Sequence, residues 1–259
     1  EDRLRVLMES YGLADLTDLA AEEMKRLTGF GRVLVYRFDH EGHGEVLAEA
    51  IDSGYESYAG HRFPTSDVPA QARELYRLNH IRAIPDARYE PVPLEVFDRG
   101  IAARDIDLSF AALRSVSPVH VEYMRNMGTR ASMSVSIVVR GRLWGLVSCH
   151  DRDARLVPFQ TRVACEHLGR LLSLQIESKE DNAEVATRLD LRQRMLEIVA
   201  HLADSDATLK RIVEEPNALL GLTRATGAAL VLNDECWTAG VTPDRATVLA
   251  FDFGTQWIG

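Results

Sequence analysis

The chain has 259 residues, of which 46% are hydrophobic and 27% charged, a balance typical of one large or two small soluble domains. Its net charge of −9 argues against non-specific binding to nucleic acid or to an anionic membrane, and no apolar run approaches the ~18 residues of a membrane span. Three scattered cysteines exclude a disulfide framework or a zinc site, so we expect no metal and a cytoplasmic location.

The first predicted elements are a helix and an antiparallel hairpin. Apolar residues recur at helical spacing over residues 16–27, and Gly29 ends that helix. Residues 33–38 read as a strand, Glu41-Gly-His-Gly as a turn, and residues 45–51 as the partner strand. A helix followed by an antiparallel hairpin indicates an α+β fold.

A short segment bounded by two prolines follows. We call residues 64–69 (PTSDVP) the proline knuckle. Proline fixes its own φ and restricts the residue before it, so the main chain between the two prolines is stiff and has carbonyls free to accept hydrogen bonds. A helix is predicted from Ala70 to about residue 79, with Arg82 just past its end. Ser66 and Asp67 precede this helix, and a side chain there could cap its N-terminus while the main-chain carbonyls stay free.

A second segment, residues 107–150, contains SPVHVEY and a run of alternating serines. Strands are predicted over residues 133–139 and 143–149, and the serines share one face of the first. Two registers are open. A two-residue turn at Arg140-Gly141 would point His150 away from the serines, whereas a three-residue bulged turn that uses Arg142 would point it toward them.

The last part of the chain begins with a long helix. Apolar residues recur on a helical face from about residue 159 to 203 without an internal proline. A helix of this length forms a dimer seam, joins two domains, or does both. Beyond Pro216, the segment GLTRATGAALVLNDECWTAGVTP begins a further domain.

The proline knuckle and the SPVHVEY segment, in this order and at this distance, resemble the chromophore-binding GAF domain of bacteriophytochromes over residues 16–176. The segment after Pro216 resembles the start of their PHY domain. The resemblance implies an α+β fold with a GAF-like antiparallel sheet and flanking helices over residues 1–175, a connecting and dimer helix over 176–205, and a partial GAF-related PHY domain over 206–259. The family's PAS domain is absent from this chain.

The resemblance also implies a pocket for biliverdin, a linear tetrapyrrole with two propionates. Arg82 and Arg114 would pair with the propionates, and the Asp67 carbonyl would accept from the ring nitrogens. Ser132 and Ser134 would contact propionates, and His150, placed by the bulged turn, would donate to the end-ring carbonyl. The other implied pocket residues are His120, Tyr123, Val68 and Pro69, with aromatic walls from Tyr36, Tyr58, Phe63 and Tyr76. The aromatic residues could equally be ordinary core.

The chain departs from the family at its attachment site. Plant and cyanobacterial phytochromes attach their bilin through a cysteine just before the GAF histidine, where this chain has Val119. Bacteriophytochromes use a cysteine near the N-terminus, which also has no counterpart here. Covalent attachment by this chain is therefore not expected.

The resemblance implies a red/far-red photoreceptor that signals by isomerisation at the end ring, a homodimer through the long helix, and an output kinase module or response regulator in the full-length protein. The same residues allow two other classes of function. A GAF sensor of cyclic nucleotides would have no use for the proline knuckle. A hydrolase could recruit Ser132, His120 and Asp67, but that serine lies mid-strand rather than on a nucleophile elbow. We therefore expect a sensory chain rather than an enzyme.

Overall fold

The structure is a computed structural model, and it describes residues 12–97, 100, 102–111, 114–203, 210–214, 216–232 and 235–250. The chain divides into two compact units with the boundary between Lys179 and Glu180. Helix α4 (Phe159–Ala203) has the predicted bounds and contributes residues to both units.

The first unit is built on a single antiparallel sheet, which confirms the α+β prediction. Its six strands have the spatial order β3-β2-β1-β6-β5-β4. They are β1 (Arg32–Phe38), β2 (Gly44–Ile51), β3 (Arg62–Phe63), β4 (Ile81–Ile84), β5 (Ala131–Val139) and β6 (Arg142–Asp151). The flanking helices are α1 (Leu13–Thr28), α2 (Ala70–Leu78) and α3 (Pro118–Asn126), with a 3-10 turn at Ala103–Asp105.

The main core lies on one face of this sheet. Leu16 and Met24 on α1 and Leu172 on α4 are buried against the strands, where they meet Val33 and Met133. The helical period of α1 and the alternation along the strands place these side chains on the same side of the sheet. The opposite sheet face is left for a pocket.

The hairpin between β5 and β6 corrects one prediction. Val139 pairs with Arg142, so the turn has two residues, and both Arg140 (φ 49°) and Gly141 (φ 74°) have positive φ. The three-residue turn is therefore wrong. The bulge lies farther along, because Ile137 pairs with Gly145 whereas Val138 pairs with Leu143. Trp144 is the extra residue.

The bulge has the effect that was predicted for the turn. One inserted residue shifts the register and changes the face of every later side chain on β6. His150 therefore pairs with Ser132 and shares its face.

The second unit contains a hairpin of β7 (Gly227–Leu232) and β8 (Glu235–Gly240). Three short helices accompany it, α5 (Lys210–Glu214), α6 (Asn217–Thr223) and α7 (Arg245–Ala250). Among the described residues, none of the helices combines the length and the apolar character of a membrane span.

Candidate ligand pocket

A cavity of about 730 Å³, including its open mouth, lies on the sheet face opposite the main core. Two rows of paired residues cross its floor from β6 to β5. One contains Ser148 and Ser134, and the other contains His150 and Ser132. The alternating serines thus face the cavity as the sequence predicted.

Aromatic side chains wall the cavity. Tyr36, Tyr58 and Phe63 pack together, with the ring of Phe63 centred 5.9 Å from that of Tyr36 and 6.0 Å from that of Tyr58. They belong to a small cluster, with Leu34 and Val46, that is separate from the main core. Tyr76 lines the same cavity from α2. These rings are therefore pocket walls rather than part of the main core.

The proline knuckle closes one side of the cavity. The Tyr123 hydroxyl donates to Oδ2 of Asp67 at 3.1 Å, and the main-chain N–H of Asp67 donates to the Pro64 carbonyl at 3.0 Å. The capping alternative is wrong, because Pro69 is the N-cap residue of α2 and no side-chain capping bond is present there. The Asp67 side chain is instead directed to α3.

A turn between β1 and β2 holds the knuckle from outside. The Thr65 main-chain N–H donates to Nδ1 of His43 at 3.2 Å, and the Thr65 hydroxyl donates to the Glu41 carbonyl at 3.1 Å. Arg73 on α2 donates to the Val68 carbonyl at 2.7 Å and also to the carbonyl of Gly42. The main chain that carries Asp67 is thus fixed at both ends.

Cationic side chains gather at the β4 side of the cavity. Arg82 pairs with Ser134 across β4 and β5, and its Nη1 is buried with no hydrogen-bond partner in the described segments. Burial and the nearby Arg82 charge lower the pKa of Arg114, whose Nη1 donates to the Ala111 carbonyl at 3.3 Å. The same two causes lower the pKa of His120. Among the described residues no carboxylate forms an ion pair with either arginine, so this region suits an anion.

His150 is a neutral imidazole in this environment. Burial first, and then the charges of Arg32 and His120, lower its pKa to about 3. Its Nε2 lies 3.1 Å from the Ser148 hydroxyl, while its Nδ1 is buried and has no partner among the residues that the structure describes. One ring nitrogen thus remains available to a ligand.

The structure brings most predicted site residues together, but three lie outside the lining. Arg82 and Arg114 lie near it, and Pro69 begins α2. Ser136, whose role the sequence left open, donates to the Tyr76 carbonyl at 2.7 Å. The predicted residues that line the cavity are Tyr36, Tyr58, Phe63, Asp67, Val68, Tyr76, His120, Tyr123, Ser132, Ser134 and His150.

Sequence reasoning missed several lining residues: Leu34, Met124, Met127, Thr129, Leu146 and Ser148. Ser148 and Leu146 precede His150 by two and four positions on one strand, so their alternation with His150 was a usable signal. Met127 and Thr129 follow α3 in an irregular segment, and no periodicity marks them.

In the hydrolase alternative, the carboxylate of Asp67 already has another partner. Asp67 bonds to Tyr123, and within the described part of the chain no hydrogen bond joins Ser132, His120 and Asp67. In the same residues, no group of three or more His, Cys, Asp or Glu side chains is placed to hold a metal ion.

Comparison with known proteins identifies two regions. The GAF domain family matches residues 12–178, and the phytochrome region matches residues 190–251. Cyanobacterial phytochrome B of Nostoc is 38% identical, over 92% of this chain and 32% of its own length. A bacteriophytochrome of Pseudomonas aeruginosa is 39% identical, over 85% of this chain and 30% of its own length. The chain thus spans about a third of the length of these curated relatives.

Solved structures agree. A bacteriophytochrome of R. palustris superposes with a TM-score of 0.79 at 38% identity, covering 96% of this chain and 51% of that one. The chromophore-binding domain of a Stigmatella aurantiaca phytochrome gives a TM-score of 0.64 at 47% identity, over 66% of this chain and 56% of that one. The chain therefore belongs to the GAF domain family, and its GAF domain and phytochrome region are those of the sensory, non-catalytic part of a phytochrome.

Proposed function

We propose that this chain binds biliverdin in the cavity of its first unit and serves as the light-sensing part of a red/far-red photoreceptor. The observation that carries the proposal is the buried, unpartnered Nη1 of Arg82, close to Arg114 and His120 and beside an aromatic-walled cavity. A buried donor of a cation that has no partner is costly, and a ligand with carboxylates on an apolar body would satisfy it.

The residues present fit this pigment. Arg82 and Arg114 would hold its propionates through charge-assisted hydrogen bonds, with help from Ser132 and Ser134. The Asp67 carbonyl would accept from the ring nitrogens, since the neighbouring Val68 carbonyl already accepts from Arg73. When bound, the pigment supplies visible absorption and a double bond that light can isomerise.

The protein side of signalling would run through hydrogen bonds at Asp67, Tyr123 and His150. The Tyr123–Asp67 bond joins α3 to the proline knuckle, so a change at the end of the ligand could release it. We infer that the rearrangement reaches the long helix and an output kinase module or response regulator of the full-length protein.

A homodimer through the long helix is part of the proposal. Its support is a row of exposed apolar side chains on α4, which includes Val185 (54% exposed), Leu189 (61%), Leu196 (56%) and Val199 (52%). The spacings of four, seven and three residues place them on one helical face. Burial against a second copy would remove this apolar surface from water.

The pigment would be held without a covalent bond to this chain. Val119 occupies the position before His120 and is 77% exposed. Cys149 belongs to the main core, and burial raises the pKa of its thiol, which suppresses the thiolate that attachment needs. The three cysteines are free thiols, which supports a cytoplasmic location.

Titration of the purified protein with biliverdin tests the proposal. A strong red band, red illumination that changes it, and loss of the pigment in denaturant are expected. A spectrum equal to that of free pigment at saturating protein would reject the proposal. A cyclic nucleotide that raises the melting temperature while biliverdin does not would favour the other GAF class, which the phytochrome relatives disfavour.

A further inference from the structure

Within the described part of the chain, Arg32 is a buried cation without a counter-ion. It lies at the start of β1, it is 3% exposed, and its Nε is buried without a hydrogen-bond partner. Among the described residues, no hydrogen bond or ion pair engages the rest of its guanidinium. Its Cζ lies 4.2 Å from the ring centre of Tyr58, and stacking of this kind offsets only part of the cost of burying a charge.

Arg32 lies beside the ligand cavity. It pairs with His150 across β1 and β6, and the same row continues to Ser132 on β5, so the three side chains share the pocket face. Tyr58, on which it stacks, and His150, with which it pairs, both line the cavity. Arg32 itself is not part of the lining, but it lies at the edge of the cavity, next to two residues that line it.

The two unsatisfied guanidiniums bracket the cavity floor. Arg82 lies on β4 and Arg32 on β1, with β5 and β6 between them. Three strand spacings separate the two strands, roughly 14 Å. A ligand that satisfies both cations must therefore be long and must carry oxygen acceptors toward both sides of the sheet.

We propose that Arg32 is a further binding residue of this cavity, whose guanidinium donates to a carbonyl or carboxylate oxygen at the ligand end beside His150 and Tyr58. The inference rests on the proposed function and adds a contact to it: for biliverdin the acceptor is the terminal carbonyl oxygen of the end ring. Arginine suits this position, because its face can stack on Tyr58 while its N–H groups point outward in the plane.

The electrostatics of His150 agree with this placement. The Arg32 charge helps burial to lower the pKa of His150, so the imidazole beside the oxygen site is neutral. His150 also has an unpartnered Nδ1 in the same row. When Nδ1 of His150 carries the proton, an oxygen at this end of the cavity could accept one hydrogen bond from Arg32 and one from His150.

The test compares the variants Arg32→Met and Arg32→Lys with the control Arg152→Met. Arg152 also stacks on a tyrosine, 4.4 Å from the ring centre of Tyr55, but it is exposed to solvent. Melting of the pigment-free proteins and titration with biliverdin are both measured. For Arg32→Met we expect a melting temperature about 2–4 °C higher, since an unpaired buried charge is removed, and pigment affinity about 10- to 100-fold lower.

The lysine variant should keep part of the affinity, because it keeps the charge but not the planar fork. Arg152→Met should bind pigment like wild type and melt no higher. A folded Arg32→Met protein that binds as tightly as Arg152→Met would overturn the inference while the proposed function stands. If Arg32→Met does not fold, Arg32→Lys with wild-type affinity and wild-type band position overturns it.

The comparison of melting temperatures is made on the pigment-free proteins. A lower melting temperature for Arg32→Met than for wild type would show that Arg32 is a packing residue and would overturn the inference even if wild type failed to bind biliverdin. In that last case the proposed function fails separately. A higher melting temperature would then show only that the Arg32 charge is unsatisfied in the free protein.

Discussion

The hydroxyl of Tyr123 donates a 3.1 Å hydrogen bond to Oδ2 of Asp67, which joins helix α3 to the proline knuckle across 56 positions of sequence. The Asp67 carboxylate is bonded to Tyr123, and its charge also acts on Tyr36. Burial, and then the Asp67 charge, raise the pKa of Tyr123 and raise that of Tyr36 to about 12. Asp67 thus adds to burial in raising the pKa values of the two pocket tyrosines.

Asp67→Asn should lower the pKa values of Tyr123 and Tyr36 toward the usual 10 without reaching it, because burial remains. Ultraviolet titration of tyrosinate between pH 9 and 12 measures this. In wild type, the contribution of Tyr36 to stability is complete below pH 10 and is lost as the pH rises to about 12. The control Asp107→Asn removes an exposed carboxylate that accepts from Ser109, and it should leave the titration unchanged. Equal titrations for both variants would contradict the assignment.

His150 should make the pigment-free protein sensitive to acid. Its folded pKa of about 3 lies below the ordinary 6.5, so the unfolded chain takes up a proton first as the pH falls. The contribution of His150 to stability is therefore complete above pH 6.5 and is lost as the pH falls toward 3. Urea unfolding should show roughly 1 kcal/mol less loss of stability between pH 7.5 and 5.5 in His150→Gln than in wild type.

The matched control for this experiment is His40→Gln, since the His40 side chain is 89% exposed. It should lose stability with falling pH as wild type does. If His150→Gln follows the same course, the imidazole is not held neutral by its surroundings.

Arg82→Ala and Arg114→Ala should each weaken binding of biliverdin, because a propionate loses a charge-assisted hydrogen bond of about 1.5–3 kcal/mol. Dissociation constants from pigment titration measure the loss. Arg77→Ala is the control, since Arg77 lies on α2, is paired with Glu74 and is not among the residues that line the cavity. Retention of wild-type affinity by both pocket variants would remove these arginines from the site.

The sequence predicted those helices and strands in which apolar or polar residues recur with a helical or an alternating period. The bounds of α4 followed from helical spacing, and the alternation of Ser132 and Ser134 predicted a polar sheet face. The sheet face of His150 was predicted correctly, but from a three-residue turn that the structure does not have. A bulge at Trp144 depends on how β5 and β6 pair along their whole length, and a turn of Arg140-Gly141 leaves that pairing open.

Other parts of the pocket depend on tertiary contacts that leave no local pattern. Asp67 precedes a helix and reads as a cap, yet its side chain bonds to Tyr123, which is distant in sequence. Arg32 lies at the end of an apolar strand, where an exposed arginine is the usual expectation, and only the folded sheet shows it buried against Tyr58.

The contact between Gly42 and Arg73 should control the rigidity of the proline knuckle. Gly42 has φ +84°, and a Cβ there would lie 2.8–2.9 Å from the Arg73 guanidinium, which donates to the Val68 carbonyl. Gly42→Ala should displace that guanidinium and loosen residues 65–68. Hydrogen–deuterium exchange of the pigment-free protein measures this directly, because the amide of Thr65 is bonded to His43 and that of Asp67 to Pro64.

Gly141→Ala separates this effect from backbone strain. Gly141 also has positive φ (+74°), but a Cβ there would meet nothing within 4 Å. Both alanine variants should lose about 1 kcal/mol to the unfavourable φ. Only Gly42→Ala, together with Arg73→Met, should speed exchange over residues 65–68 and weaken pigment binding. If exchange in the knuckle is unchanged in both, Arg73 does not position Asp67, and the bond to Tyr123 alone must hold it.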